Sequence, residues 1–474
     1  MQTITGKLSL KEKVGYSLGD TASNLFFQTF VLFLLYFYTD VFGLPAAAVG
    51  TMFLVTRIWD AFFDPIIGMI ADRTHTRWGK FRPFLLWFAL PFGVIGILTF
   101  TTPGFDTSGK LIYAYVTYSL MMMLYSAINV PYSALMGVIT PNSEQRTVLS
   151  SYRFVSAFAG GFIVQALTMS LVGYFGKGNE SLGWQWAMGC LSGLAFVLFM
   201  VTFMTTEERV FPPKGQKANF KHDLRDLFSN KPWLLIAGAT VFQLMYIVMR
   251  SSSIMYYFKY YVGDQTFNIF GSVINLSFAG FASSFMLTGT VATIIGAILT
   301  KWFSRVFDKK NTYLWFLIAS ALLNTLFYFM KPQNVLMIYT LNLLVSFFFG
   351  PVSVLQWAMY TDTADYSEWK NTRRATGLVM AASLFSLKLG LTLGGAVVGW
   401  ILAYHGFVAN QTQTRESVDG IILLLSVYPA ALGVLGGLLM LFYPLTNKMM
   451  IKIEEDLTSR RGLIGGAEGA SEAR

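Results

Sequence analysis

The sequence predicts an all-α polytopic membrane protein, with twelve transmembrane helices in two six-helix bundles around a central cavity. Three observations predict it. Of 474 residues, 54% are hydrophobic and 13% charged, about half the charged share of a soluble chain. Residues 84–100, 191–204 and 421–442 hold no charge at all, and about 20 apolar residues cross the hydrocarbon core of a bilayer. A polar interval, residues 206–231, splits the apolar runs into two sets of six. Only helices and closed barrels satisfy the backbone in lipid, and these runs are too long for barrel strands.

The spans are expected at 16–39, 46–71, 83–101, 111–139, 148–173, 184–205, 232–261, 270–300, 312–331, 333–361, 375–404 and 419–444. Residues 1–205 form the first bundle and 232–446 the second. Residues 206–231 form a cytoplasmic middle loop, in which Phe220, Leu224, Leu227 and Phe228 recur at helical spacing among charges. That pattern predicts a short amphipathic helix on the membrane surface. Residues 447–474 form a cytoplasmic tail, partly disordered, ending in the Gly/Ala/Glu-rich GLIGGAEGASEAR (462–474). The halves are weakly alike. The basic loops ADRTHTRWGKFRP (71–83) and SRVFDKKNTYLW (304–315) precede the third and ninth spans, while PNSEQR (141–146) and DYSEWKNTRR (365–374) follow the fourth and tenth. Six plus six with matching inner loops is the pattern of a two-bundle secondary transporter.

The formal charge of +10 reports topology. About 26 of the 35 Lys and Arg fall in the N-terminal segment, the loops after even-numbered spans and the tail. Lys110, Lys177, Lys259, Lys331 and Arg415 lie on the other side, and Arg57, Arg153, Arg250 and Lys388 inside spans. By the positive-inside rule both termini are cytoplasmic, in a multi-pass protein of the cytoplasmic (inner) membrane. The basic excess then contacts anionic lipid rather than nucleic acid. The single Cys190 sits in an apolar span and excludes an internal disulfide. His75, His222 and His405 lie in or near loops without metal-ligand spacing, and no P-loop indicates ATP-driven transport. The N-terminus shows no short apolar core with a cleavage site, so the first span is not read as a signal peptide.

Inside the second span, IWDAFFDP (58–65) puts Asp60 and Asp64 on one helix face. Burying two carboxylates costs about 5–7 kcal/mol on insertion scales. Like charges side by side need a counter-cation or a shared proton. Lys388, near the centre of the eleventh span, is the candidate counter-charge. Two carboxylates and one ammonium leave a net negative pocket, a site for a monovalent metal cation or a proton. No cofactor is implied beyond that co-transported Na⁺, Li⁺ or H⁺.

Other spans carry polar stripes: Asp20, Asn24 and Gln28; Tyr118, Met122, Tyr125, Asn129 and Tyr132; Gln243, Tyr246, Arg250, Ser253 and Tyr257; Ser353, Gln356 and Tyr360; and Arg153 just inside the fifth. Each stripe serves either as interhelical glue or as cavity lining. Aromatic faces with amide and charged groups suit a sugar, and Asn24, Tyr125, Asn129, Arg250 and Gln356 are the candidates from the stripes. Asp362, Asp365 and Glu368, with Arg373 and other cytoplasmic basic residues, are candidates for an ion-pair network closing an inner gate.

These residues sit in recognisable motifs: GYSLGD (15–20), YTDVFGL (38–44), RIWDAFFDP (57–65), DRTHTRWGKFRPF (72–84), NVPYSAL (129–135), DTADYSEW (362–369) and SLKLGL (386–391). Over about residues 9–445 the chain closely resembles the glycoside–pentoside–hexuronide:cation symporters, the melibiose permease group of the major facilitator superfamily. The resemblance implies sodium-, lithium- or proton-coupled sugar uptake by alternating access. Position by position it implies that Asp60, Asp64, Ser126 and Lys388 form the cation site, and that Asp20 and Arg153 bind sugar. The melibiose branch has Asp at Asn129, Trp at Ser133, Lys at Gly19 and a second Trp near Ser353, so much of its galactoside pocket is missing. The chain looks nearer the pentoside, xyloside and glucuronide branches, and Arg250 is read as either a uronide ligand or a partner of Asp20. The default is a monomer, with a sugar or glycoside, a monovalent cation and membrane lipid as partners.

Three competing functions are weighed against transport of sugar. The chain is not expected to be an enzyme: an intramembrane aspartyl protease needs its two Asp on different helices, and Asp60 and Asp64 share one. A cation-coupled carrier of amphiphilic lipids would need a wide apolar lateral opening, and the polar stripes argue against one. A non-transporting sugar sensor would bind sugar yet give no uptake.

Overall fold

A computed structural model describes residues 8–140, 143–209, 228–269, 272–371 and 376–459 except 454 and 458. The helices are α1 (Leu10–Thr29), α2 (Ala46–Arg73), α3 (Arg82–Thr99), α4 (Thr107–Ile139), α5 (Ser143–Gly176), α6 (Glu180–Thr205) and α7 (Lys231–Tyr256). A two-stranded hairpin, β1 (Gln265–Ile269) and β2 (Ser272–Leu276), precedes α8 (Phe278–Phe307), α9 (Lys309–Thr325), α10 (Val335–Asn371), α11 (Thr376–Tyr404), α12 (Arg415–Leu425) and α13 (Val427–Leu439). Among the described residues, ten helical stretches are long and apolar enough to cross a membrane. α1 continues through two π-helical turns, Phe30–Leu34 and Phe37–Val41, and α7 through a third, Tyr257–Val262.

Helix ends follow local chemistry. Ser9, Asp106 and Asn179 cap α1, α4 and α6 by accepting from backbone N–H groups of the first turn, which otherwise lack partners. α3 is capped from a distance. Glu208, past the end of α6, accepts from the N–H groups of Lys80, Phe81 and Arg82 at 2.8, 2.7 and 3.0 Å. The last span breaks at Ser426. Pro429 has no N–H to give Leu425, four residues back. Asn324 of α9 donates instead to the Leu425 and Ser426 carbonyls at 2.8 and 2.9 Å.

One expected boundary is corrected. The eighth span does not begin at residue 270. The pairing from Gln265↔Leu276 to Ile269↔Ser272 is antiparallel sheet, and α8 opens at Phe278, whose N–H donates to Asp264 Oδ1 at 2.7 Å. The segment is apolar enough to read as membrane, yet its β-branched and aromatic content favours strands. The amphipathic helix expected around 220–228 and the tail 462–474 lie outside the described residues, except for Phe228. The tail is helical at 447–453, with Met450, Ile453 and Leu457 buried in a core containing Trp233 and Tyr443.

The described chain forms two compact units. The first comprises residues within Met1–Gln216, Ser251–Leu287 and Gly395–Ile421; the second, residues within Lys217–Arg250, Thr288–Gly394 and Ile422–Arg474. The division therefore cuts α7, α8, α11 and α12, and the end of α7, the start of α8, the end of α11 and the start of α12 group with α1–α6. In the first unit α1 packs on α5 and α6, α2 on α4, and α3 on α4 and α6. Gly50 of α2 meets α11 so closely that a Cβ there would stand 2.6 Å from the Ala396 carbonyl oxygen. In the second unit α9 packs on α10 and α13.

Candidate functional site

The seam between α1 and α5 is polar and tight. Thr21 Oγ1 donates to the Ser156 carbonyl at 2.9 Å, and Ser156 Oγ donates to Ser17 Oγ at 2.9 Å. A Cβ on Gly160 would lie 2.8 Å from the Thr21 carbonyl oxygen. Small residues let membrane helices approach this closely. The approach delivers Arg153, two turns earlier on α5, to Asp20 on α1.

There the guanidinium forms a fork: Nε donates to Asp20 Oδ2 at 2.7 Å and Nη2 to Oδ1 at 3.0 Å. Tyr132 of α4 donates its hydroxyl to Asp20 Oδ2 at 2.6 Å. The guanidinium carbon also lies 5.0 Å from the Tyr132 ring centroid and 5.7 Å from that of Tyr16, within cation–π range. Bidentate, charge-assisted bonds are among the strong ones. The side chains keep 14% (Asp20) and 22% (Arg153) of their exposure, so the pair is sheltered but not sealed. Sequence reasoning does not single out Tyr16 or Tyr132 as neighbours of Asp20, although the 4-3-4-3 rhythm of α4 places Tyr132 on the right face.

The neighbouring candidates are engaged in local bonds. Asn24 donates to the Asp20 carbonyl at 2.9 Å. Asn129 accepts from Ser23 Oγ at 2.7 Å and donates to the Tyr125 carbonyl at 3.0 Å. Tyr125 is half-buried, its ring 6.3 Å from that of Phe92.

A second cluster of the same unit joins α2 and α4. Asp60 is buried, and Ser126 Oγ donates to its Oδ1 at 2.9 Å. Arg57, one turn earlier on α2, stands 3.8 Å from Asp60 Oδ2, beyond hydrogen-bond distance. Tyr118 of α4 lies close to Arg57. Asp64, half-buried, follows on the same face of the unbroken helix. Sequence reasoning names Lys388 as counter-charge and overlooks Arg57, although its i,i+3 spacing from Asp60 is readable. Among the described residues no group of three or more His, Cys, Asp or Glu could hold a metal. A site here would combine carboxylate and hydroxyl oxygens, which suits hard monovalent cations or a proton better than transition metals.

In the second unit, Arg250 is buried. Its Nε donates to Asn324 Oδ1 at 2.9 Å and its Nη2 to Asn342 Oδ1. Both are neutral amide partners, and Asp20 for its part is bound by Arg153. Gln356 on α10 is buried, and its Nε2 has no hydrogen-bond partner among the described residues. Buried donors are rarely left unpaired. Lys388 is half-buried midway along α11. Of the gate candidates, Asp362 pairs with Lys309 at 2.8 Å, a partner that sequence reasoning does not name. Asp365 and Glu368 are half-buried on α10, and Arg373 lies outside the described residues.

The family described as "MFS/sugar transport protein" matches residues 15–447. The chain is 39% identical to the "Putative glycoside/cation symporter YagG" of Escherichia coli (strain K12), over 97% of both chains. It is 36% identical to the "Isoprimeverose transporter" of Lactiplantibacillus pentosus, over 94% of this chain and 91% of the relative. A solved structure of a D-xylose-proton symporter superposes with a TM-score of 0.60 at 14% identity, covering 92% of this chain and 96% of the other; at that identity it speaks to the fold alone. The chain is therefore a membrane transporter and not an enzyme, and it belongs to the glycoside–pentoside–hexuronide:cation symporters within the MFS/sugar transport protein family.

Proposed function

We propose that this protein is a sugar:cation symporter of the inner membrane, with twelve spans in two six-helix bundles and both termini cytoplasmic, working by alternating access. The observation that carries the reading is that the first unit holds two separate sheltered carboxylate clusters of different character. Asp20 is gripped by a planar arginine fork among tyrosine rings. Asp60 accepts from a serine hydroxyl, with an arginine at 3.8 Å and Asp64 a turn away. The first arrangement offers stacking rings, charged donors and a carboxylate acceptor, the groups that bind a sugar's apolar face and its hydroxyls. The second offers hard oxygen ligands for Na⁺, Li⁺ or H⁺. The names of the relatives support the pairing, since one is called a glycoside/cation symporter and another an isoprimeverose transporter.

In this reading Arg153 and Asp20 hold sugar hydroxyls, with Tyr125, Asn24 and Asn129 shaping the surroundings. Asp60, Asp64 and Ser126 take the cation. Gln356 Nε2 is the second unit's candidate sugar donor, with Arg250 as its charged candidate, and Lys388 keeps its role as the candidate counter-charge. Asp362, Asp365, Glu368 and Arg373 serve the inner gate. Binding of either ligand raises affinity for the other by the same factor. The test is uptake into proteoliposomes of xylosides, glucosides, galactosides and hexuronides, each under a sodium, lithium or proton gradient. One sugar should accumulate with one cation. Uptake indifferent to all three gradients would refute the symport reading.

A further inference from the structure

The ends of α1 and α7 repeat one another in sequence and in backbone. YFYTDVFG (36–43) aligns with YYFKYYVG (256–263), so that Tyr36 matches Tyr256, Thr39 matches Lys259, Asp40 matches Tyr260 and Gly43 matches Gly263. Both stretches are π-wound, and both stop at a glycine with left-handed φ, +84° at Gly43 and +70° at Gly263. Among the described residues, π-helix occurs only on these two chain segments. π turns are uncommon and gather at functional positions. The repeats differ in charge: one presents Asp40 and the other Lys259.

Within the first unit these two ends meet. Asp40 has a side chain with no exposed surface. Its Oδ1 accepts from Lys259 Nζ at 2.8 Å and from the Tyr260 hydroxyl; its Oδ2 accepts from Thr39 Oγ1 at 2.7 Å. Lys259 uses all three N–H bonds: on Asp40, on Asn410 Oδ1 at 2.8 Å and on the Tyr36 hydroxyl at 3.2 Å. Tyr36 donates its own hydroxyl to Glu180 Oε2, at the start of α6, at 3.3 Å. Asn410, in the loop between α11 and α12 at φ +57°, donates its side-chain amide to the Asp40 carbonyl and its backbone N–H to the Tyr260 oxygen at 2.9 Å. Thr39 and Tyr256, a further pair from the two repeats, share a hydrogen bond of 2.7 Å. Every side chain of the knot comes from the same membrane face, the one where α1 ends and α6 begins.

We propose that Asp40 and Lys259, with Tyr36, Tyr260 and Asn410, form the latch that holds this outer face shut, and that it opens when the carrier turns outward. The proposal rests on the alternating-access reading above. A buried ion pair is suited to the task because its attraction is largely offset by desolvation. When the face opens, water returns to both charges, so the latch releases without a large penalty. Closed, its hydrogen bonds fix one geometry and exclude other pairings. The π turns supply the movement: relaxing one to α geometry shifts the helix beyond it by one residue, a turn of about 100°, which carries Asp40 off Lys259.

The test is chemical accessibility in the full-length protein, with Cys190→Ser as background and Gln28→Cys as reporter. Gln28 lies on the face of α1 that carries Asp20 and Asn24, toward the outer end. Labelling by a membrane-impermeant maleimide is timed in right-side-out and inside-out vesicles, with no sugar added. Asp40→Asn and Lys259→Gln should each label about tenfold faster from outside and more slowly from inside, as a population shift requires. Their combination should do no more than the larger single change. Tyr260→Phe removes one hydroxyl and keeps the ion pair. It should shift labelling the same way by about threefold, and decides the matter if the charge variants do not fold. Unchanged labelling in the folded variants would overturn the latch, as would faster labelling from both sides, the sign of simple loosening. The readout needs no sugar or coupling, so failure of the symport reading would leave it standing and would appear in uptake alone.

Discussion

Asp20 and Asp60 lie on α1 and α2 of the first unit, and each has an arginine nearby, yet the two are held differently. Asp20 receives two short bonds from Arg153 and a third from Tyr132. Asp60 accepts from the Ser126 hydroxyl, and Arg57 stands 3.8 Å away with no fork between them. The helix geometry accounts for the contrast. Arg153 comes from another helix, brought near by the Gly160 approach, so its Nε–Nη2 edge reaches both carboxylate oxygens. Arg57 sits three residues before Asp60 on the same helix, where the side chains lie alongside and a bidentate fork does not form. A forked pair fixes shape, which suits recognition of a polyhydroxyl ligand. A carboxylate balanced at a distance can exchange that balance for a small cation.

The comparison breaks most severely at Arg153. Replacing it by Gln strands a sheltered carboxylate, a change worth about 3 kcal/mol, at the lower end for buried pairs because Arg153 is partly exposed. Arg153→Gln should lower the melting temperature in detergent and abolish sugar binding. Arg57→Gln, by contrast, should leave the melting temperature nearly unchanged. Asp60→Asn comes next: the affinity for the coupling cation should fall by about 100-fold, as loss of a ligand exceeds the usual effect of its supporting shell. Sugar binding without cation should survive in that variant, as isothermal calorimetry would reveal. Ser126→Ala removes one hydrogen bond to a charged group and should weaken cation affinity about tenfold, with sugar affinity at zero cation unmoved. The smallest effect is expected of Tyr132→Phe, about 1 kcal/mol for its hydroxyl. It should weaken sugar binding several-fold and leave cation affinity in the absence of sugar as it was, the reverse of Ser126→Ala.

Much of this is legible in the sequence because lipid imposes simple rules. Apolar runs mark the long apolar helices to within a few residues, as at 83–101 against Arg82–Thr99. The family resemblance groups Ser126 with Asp60 and Arg153 with Asp20, and in the structure Ser126 donates to Asp60 and Arg153 to Asp20. What does not show are the choices made between helices. Arg250 donates to asparagines of α9 and α10, and hydropathy says that a charge needs a partner but not which helix supplies it. Asp362 meets Lys309 for the same reason. In the sequence Lys259 is one charge of the outward tally, whereas in the fold it is the centre of a saturated network. Its role shows only where the ends of α1 and α7 meet. The hairpin at 265–276 escapes because an apolar strand and the start of an apolar helix have the same composition.

The most direct test of the division between a sugar cluster and a cation cluster is sugar-driven cation flux in proteoliposomes, measured beside sugar counterflow, for the wild type and Asp60→Asn. The account predicts that the wild type moves cation with sugar, and that Asp60→Asn keeps counterflow while cation flux disappears. Cation flux at the wild-type ratio to sugar in Asp60→Asn, or loss of counterflow as complete as the loss of cation flux, would contradict it.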